Sequence, residues 1–381
     1  MPRRLPWIFV SLTLAGMAAA ASSAAWATSL RAAPAAATTL TVYLAPASKG
    51  GSDQHSGLSP ASPVLTLARA QQVLQQRKPS GDVQIRIDQG TYVAGQTRWT
   101  FYIPGHTISF LPINYVIGHG RPPGGDPAFV DTSSRGAHTA GWWLQAQEPA
   151  SGPLRDGGTT GLRFSYLRIE DYTNGISLDG QAGHAAQSHG MYIKPSIGVN
   201  GNSVSGMTFS DIGDQFAPGQ TGFGAVLLTD SSGNHITNNT FDRIENASAT
   251  AGKIHGIYVT HFSSSNTITA NLFSTISSFA VKVRDRSNFN DVEHNRFNAT
   301  GGSSAYRDEF CDAACVRASP GTARQCASYG NRFSSNTIGT VFGGTAKQNA
   351  WSLSPPGLTY AGGSGCSIPR GQQRLFTGGN T

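Results

Sequence analysis

Four stretches decide the fold: Asn202-Ser-Val-Ser-Gly-Met-Thr-Phe209, Asn234-His-Ile-Thr-Asn-Asn-Thr-Phe241, Asn266-Thr-Ile-Thr-Ala-Asn-Leu-Phe273 and Asn290-Asp-Val-Glu-His-Asn-Arg-Phe297. All share the form Asn-x-(Ile/Val)-x-x-(Asn/Met)-x-Phe. They begin 32, 32 and 24 residues apart. A 24-residue unit is therefore repeated, twice with eight extra residues, and a degenerate fifth copy runs from Asn331 to Ile338. Fixed-period self-similarity is the mark of a stacked architecture.

Upstream of its Asn, each unit carries a short strand: Ala225-Val-Leu-Leu-Thr229, Ile257-Tyr-Val-Thr-His261 and Val281-Lys-Val-Arg-Asp285. Alternation at period two predicts Ala225/Leu227, Ile257/Val259 and Val281/Val283 on one face. The other face takes Val226/Leu228, Tyr258/Thr260 and Lys282/Arg284. The first set is aliphatic and is assigned to the core. One short coil cannot bury such a face alone, but coils stacked ~4.8 Å apart bury it continuously. Asn239, Asn271 and Asn295 then stack as an amide ladder, a structural role rather than a ligand set.

Composition agrees. Charged residues make up 13% of the chain, about half of the usual ~25%, so a helix-rich protein is excluded and an all-β one with many turns is favoured. Thr41–Ala45 reads as a strand and 66–76 as an amphipathic helix with Leu67, Ala70, Val73 and Leu74 on one side. That helix is expected to plug the open end, with Val83–Ile87 beginning the first coil.

Residues 1–27 read as a signal peptide, with Arg3 and Arg4, an apolar run from Leu5 to Ala21, and the small-x-small pattern Ala25-Trp26-Ala27. Residues 28–40 read as a disordered leader and 41–381 as one solenoid domain. Within it the cap is 41–80, the coils are 81–345, and a stapled loop and tail occupy 303–381. A secreted or periplasmic location is expected. No later run reaches the ~20 apolar residues of a membrane span. Cys311, Cys315, Cys326 and Cys366 suit two disulfides in an exported chain, with three connectivities open.

Loss of Arg3 and Arg4 lowers the net charge of +7 to +5. That mild excess, with no runs of Lys or Arg, suits an acidic extracellular polysaccharide and argues against nucleic acid. A monomer without membrane contact is expected.

Tyr43-Leu-Ala-Pro46, Gly51-Ser-Asp-Gln-His-Ser-Gly57, Pro63-Val-Leu-Thr-Leu-Ala-Arg-Ala70 and Gly90-Thr-Tyr92 resemble the N-terminal region of secreted bacterial right-handed β-helix proteins of the pectate-lyase-like superfamily. The repeat resembles the parallel β-helix repeat of the same superfamily. The resemblance implies a single-stranded right-handed parallel β-helix with an N-terminal capping helix. Ala280-Val-Lys-Val-Arg-Asp-Arg-Ser-Asn288 is similar to the strand that carries the base lysine in β-helix alginate and dermatan lyases, which implies that role for Lys282. Those enzymes carry an arginine on a Leu-Arg-His-Gly-like strand one coil later. Here the stretch is Ser303-Ser-Ala-Tyr-Arg307-Asp-Glu, where the His-Gly is missing and only Arg307 stands in that place.

A polymer is best held along the outer strand face. β-Elimination of a uronate needs a cation for the carboxylate, a base for the neighbouring proton and a proton donor for the leaving oxygen. Lys282, Arg284, Tyr258 and His255 are the catalytic candidates, since a neighbouring cation favours the neutral amine that a base must be. His189, Tyr192, Lys194, His261 and Arg307 are the substrate-binding candidates. The two eight-residue insertions, within 210–224 and 242–256, are expected to form a wall beside this face. Two alternatives stand beside the lyase. A glycoside hydrolase would use Asp211/Asp214 with Asp242/Glu245, and a non-catalytic protein would only bind carbohydrate. Asp308, Glu309 and Asp312 form an acidic group whose oxygens suit calcium.

Overall fold

A computed structural model describes residues 39–131, 141–147, 159–180, 198–320, 324–359 and 366–381. Residues 1–38, where the signal peptide and most of the leader are expected, and the candidates His189, Tyr192 and Lys194 lie outside the described residues. The described strands form three parallel sheets, one of ten strands and two of eight. Each coil visits them in the order sheet 1, sheet 2, sheet 3. Within the repeat, Val204, Ile236, Ile268 and Val292 stack in sheet 1. Phe209, Phe241, Phe273 and Phe297 stack in sheet 2, and Ile257 and Val281 pair in sheet 3. All of these side chains are essentially inaccessible and form one continuous core.

The repeat is legible in the packing. Phe209, Phe241, Phe273 and Phe297 lie nearly face to face at 5.2, 4.8 and 4.9 Å, and Ile338 of the degenerate copy pairs with Phe297. Both asparagines of the motif form ladders. At the corner between sheets 1 and 2, Asn239 Nδ2 donates to Asn271 Oδ1 at 3.0 Å and Asn271 Nδ2 to Asn295 Oδ1 at 3.0 Å. The column continues through Asn336 to Asn380. At the corner entering sheet 1, a second ladder runs Asn202, Asn234, Asn266, Asn290, Asn331. After the first asparagine of each column, every Oδ1 also accepts the backbone N–H of the preceding asparagine. Asn271→Ala would thus strand two buried donors of Asn239, at about 1–3 kcal/mol for each. A urea midpoint shift worth less than about 1 kcal/mol would show that water replaces the ladder.

One register differs from the sequence expectation. Val226 and Leu228, not Ala225 and Leu227, form the inward pair that stacks on Ile257 and Val259, while Leu227 stands outward opposite Tyr258. Six residues separate Leu228 from Asn234, but seven separate Val259 from Asn266 and Val283 from Asn290. The extra residue is absorbed after the strand 255–260, where Asp230 N–H reaches the His261 carbonyl at 2.7 Å. In an all-aliphatic strand the pattern does not reveal the slip, although one residue exchanges the two faces.

The first helix, α1 (Leu67–Arg77), starts at Thr66, whose hydroxyl accepts from Arg69 N–H at 3.0 Å. Its buried residues are Leu67, Ala70, Val73 and Leu74, and it packs on strands 40–44 and 97–99. A second helix, α2 (Ala313–Ala318), is capped by Asp312. Among the described residues no helix is long and apolar enough to cross a membrane. The disulfides are Cys311–Cys315 and Cys326–Cys366.

Candidate functional site

Sheet 3 presents the candidate face. Its pairing aligns Ser177, Leu227, Tyr258, Lys282, Arg307 and Ser352 as one outward row across successive coils. A parallel outward position, two residues further along each strand, aligns Arg284 with Glu309. Lys282 and Arg307 thus stand on neighbouring coils, with Arg284 and Glu309 beside them.

Glu309 is the centre of the cluster. Its Oε1 lies 2.7 Å from Lys282 Nζ and 3.8 Å from Arg284 Nη1, and its Oε2 lies 3.3 Å from Arg307 Nε. Burial pushes the Glu309 carboxyl up, but the three cations more than offset this and hold it below the usual carboxylate range. Tyr258 Oη accepts from Arg284 Nη1 at 3.5 Å. Lys282 Nζ sits 5.5 Å from the Tyr258 ring centre and 5.9 Å from that of Phe279, and Arg307 lies 5.4 Å from the Phe279 ring. Two aromatic rings therefore border the cations, an arrangement that favours positive charge over the ring faces.

Tyr258, Lys282 and Arg284, turned outward by strand alternation, and Arg307, pointed to by the resemblance, lie together on this face. His255 does not join them at the surface. It is 1% exposed and meets the Tyr258 ring edge-on at 5.1 Å. Burial, with Lys282 adding to it, drives its pKa well below the ordinary value, so it is neutral behind the site. His261 stands at the following corner, where its Nδ1 lies 2.9 Å from the buried Asp285 carboxylate.

The insertions leave sheet 2 and return to sheet 3, on one edge of this face. They are fastened to each other. Asp214 accepts from Ala247 N–H at 2.6 Å and from the Thr250 hydroxyl at 2.7 Å, and Asn246 Nδ2 donates to the Gly222 carbonyl at 3.0 Å. Gly213 opens the first insertion at φ +127°, where a Cβ would also collide with the Glu245 carbonyl. Of the four carboxylates considered for hydrolysis, Asp211, Asp214 and Asp242 are occupied in this wall, whereas burial raises the pKa of Glu245. Both Asp211 oxygens take Arg243 at 2.5 Å, Asp242 takes it at 3.0 Å, and Asp214 ties the loops.

The acids considered as calcium ligands are dispersed. In strand 306–309 alternation turns Asp308 inward, fully buried on Arg374 at 2.9 Å, and Glu309 outward onto its cations. Asp312 caps α2. Glu309 was thus read by sequence proximity rather than by face. Sequence reasoning also missed Phe279, whose ring borders Lys282 and Arg307, and Gln325, whose Oε1 accepts from Arg284 Nε at 2.6 Å.

Three comparisons bear on identity. The family described as a right handed beta helix region matches residues 156–338. No curated protein matches in sequence. Among solved structures, an alginate lyase from Paenibacillus sp. str. FPU-7 is similar at 14% identity, over 90% of this chain and 94% of its own, with a TM-score of 0.45. A rhamnogalacturonan lyase is similar at 14% identity, over 84% of this chain and 63% of its own, with a TM-score of 0.36. The A-module of the mannuronan C-5 epimerase AlgE4 of Azotobacter vinelandii is similar at 10% identity, over 88% and 94%, with a TM-score of 0.33. The three-sheet coil, its stacked Asn and Phe columns and the match over residues 156–338 give this chain the fold of a right-handed parallel β-helix.

Proposed function

We propose that this is an exported lyase that cleaves an acidic, uronate-containing polysaccharide by β-elimination on the outer face of sheet 3. The observation that carries the reading is the set of three cations, Lys282, Arg284 and Arg307, gathered on one carboxylate beside the Tyr258 hydroxyl. A site that holds the Glu309 carboxylate has the charge and donors for the carboxylate of a uronate.

In this reading the sugar carboxylate displaces Glu309 from Arg284 and Arg307, which neutralise it and acidify the adjacent C–H. Removing those charges from Glu309 raises its basicity, so it takes the proton that Lys282 carries. The neutral Lys282 amine then accepts the C–H proton. The electron pair forms the new C=C bond, the glycosidic C–O bond breaks, and Tyr258 gives its proton to the departing oxygen. The wall of inserted loops keeps the polymer on the row of outward residues. The apolar N-terminal segment and the two disulfides support export.

The test is incubation with a panel of uronate polymers. Unsaturated products with ultraviolet absorbance are expected. New reducing ends without that absorbance would instead mean hydrolysis. Retention on an acidic-glycan column with no cleavage of any polymer would mean binding alone.

A further inference from the structure

Gln325 is 7% exposed and takes no part in the chemistry above, yet two donors converge on its side chain. Arg284 Nε approaches its Oε1 at 2.6 Å and the Cys311 backbone N–H at 3.1 Å. Both partners are donors only, so the atom between them must be the amide oxygen. The Gln325 N–H in turn donates to the Cys311 carbonyl at 2.8 Å. Residues 311 and 325 are thereby locked together, and a disulfide leaves from each side. Cys311 is bridged to Cys315, and Cys326, next in sequence, is bridged to Cys366 of the tail. Cys326 also donates its N–H to Asp285 Oδ1 at 3.1 Å, which fixes the segment on the coil that carries Arg284.

Arg284 needs such a hold. A long arginine side chain at a strand end has several rotamers, and its Nη1 faces both Tyr258 at 3.5 Å and Glu309 at 3.8 Å. Anchoring Nε fixes the plane of the guanidinium and hence the direction of its remaining donors. We infer that Gln325 is a positioning residue, which holds the Arg284 guanidinium aimed at Tyr258 and at the place of the substrate carboxylate. The inference rests on the lyase reading for its effect on turnover, but not for its effect on Arg284 itself.

The experiment compares wild type, Gln325→Ala, Gln325→Glu, Arg284→Ala and the Gln325→Ala/Arg284→Ala pair, by turnover and by NMR of the arginine Nε–H signals. Gln325→Ala is expected to lower kcat about ten- to a hundredfold and to make the Arg284 Nε–H exchange rapidly with solvent. Gln325→Glu keeps an oxygen acceptor, so the Nε–H stays protected and kcat recovers in part. In the Arg284→Ala background, Gln325→Ala is expected to cost nothing further. An equal loss in both backgrounds, or an Nε–H signal unchanged by Gln325→Ala, overturns the inference. If wild type cleaves no uronate polymer but the Nε–H responds as stated, the lyase reading fails and the positioning role stands.

Discussion

Lys282→Ala is expected to reduce turnover on a uronate polymer by about a thousandfold or more, the scale of a lost general base, while the thermal transition stays in place. Lys282 is 8% exposed and its amine touches Glu309, so a loss of stability is the natural objection. The neighbours answer it. Without Lys282, the Glu309 carboxylate still faces Arg284 at 3.8 Å and Arg307 at 3.3 Å, so no charge is left buried alone. Lys282→Arg separates the two functions of the residue. It restores a cation but supplies a guanidinium that does not give up its proton, so it is expected to bind the polymer and remain inactive. Initial rates alongside circular-dichroism melting check both variants. An active Lys282→Ala protein removes the residue from the reaction.

The largest stability effect belongs to Arg374→Met. Arg374 and Asp308 are 0% exposed, 2.9 Å apart, and join the tail to an inward position of strand 306–309. Removing one partner of a buried pair costs about 3–5 kcal/mol, because the other charge is left uncompensated. Burial pushes the Asp308 carboxyl up to about 6, and Arg374 opposes this only in part. Since the folded value lies above the unfolded one, the native state holds the proton more tightly. The stability associated with that proton is full below about pH 4 and is lost as pH rises through about 6. Without Arg374 the carboxyl shifts further up, so the penalty is expected to grow between about pH 5 and about pH 8. Denaturant unfolding at both pH values measures it. A gap between wild type and variant that does not change with pH would assign the loss to packing rather than to charge.

The fold was readable because the residues that fix each coil recur at one place in it. Asn239, Asn271 and Asn295 satisfy one another, and Phe241, Phe273 and Phe297 fill the same layer, so spacing alone located the stack. Alternation also brought Lys282 and Arg284 to one face, and the resemblance pointed to Arg307 beside them. It was not applied to Asp308-Glu309, where three acids within five positions suggested a metal while the strand period separated the first two. Ala225–Thr229 failed for the opposite reason, since an aliphatic strand carries no mark of its inner face. Gln325 comes from an insertion with no repeat to index it, and only tertiary contact with Arg284 reveals it.

The two insertions of the wall enter after the Phe layer, and neither disturbs an asparagine column, which continues through Asn202, Asn234 and Asn266 across both. Chain length is thus fixed at the corner between sheets 1 and 2, where Asn239, Asn271 and Asn295 stack, and free at the corner between sheets 2 and 3. That corner is where insertion and deletion can accumulate without loss of foldability. Because it borders the outward row of Tyr258 and Lys282, the proposed function implies that descendants of one scaffold can change which polymer they admit by lengthening a loop, while the proposed reacting groups keep their coil.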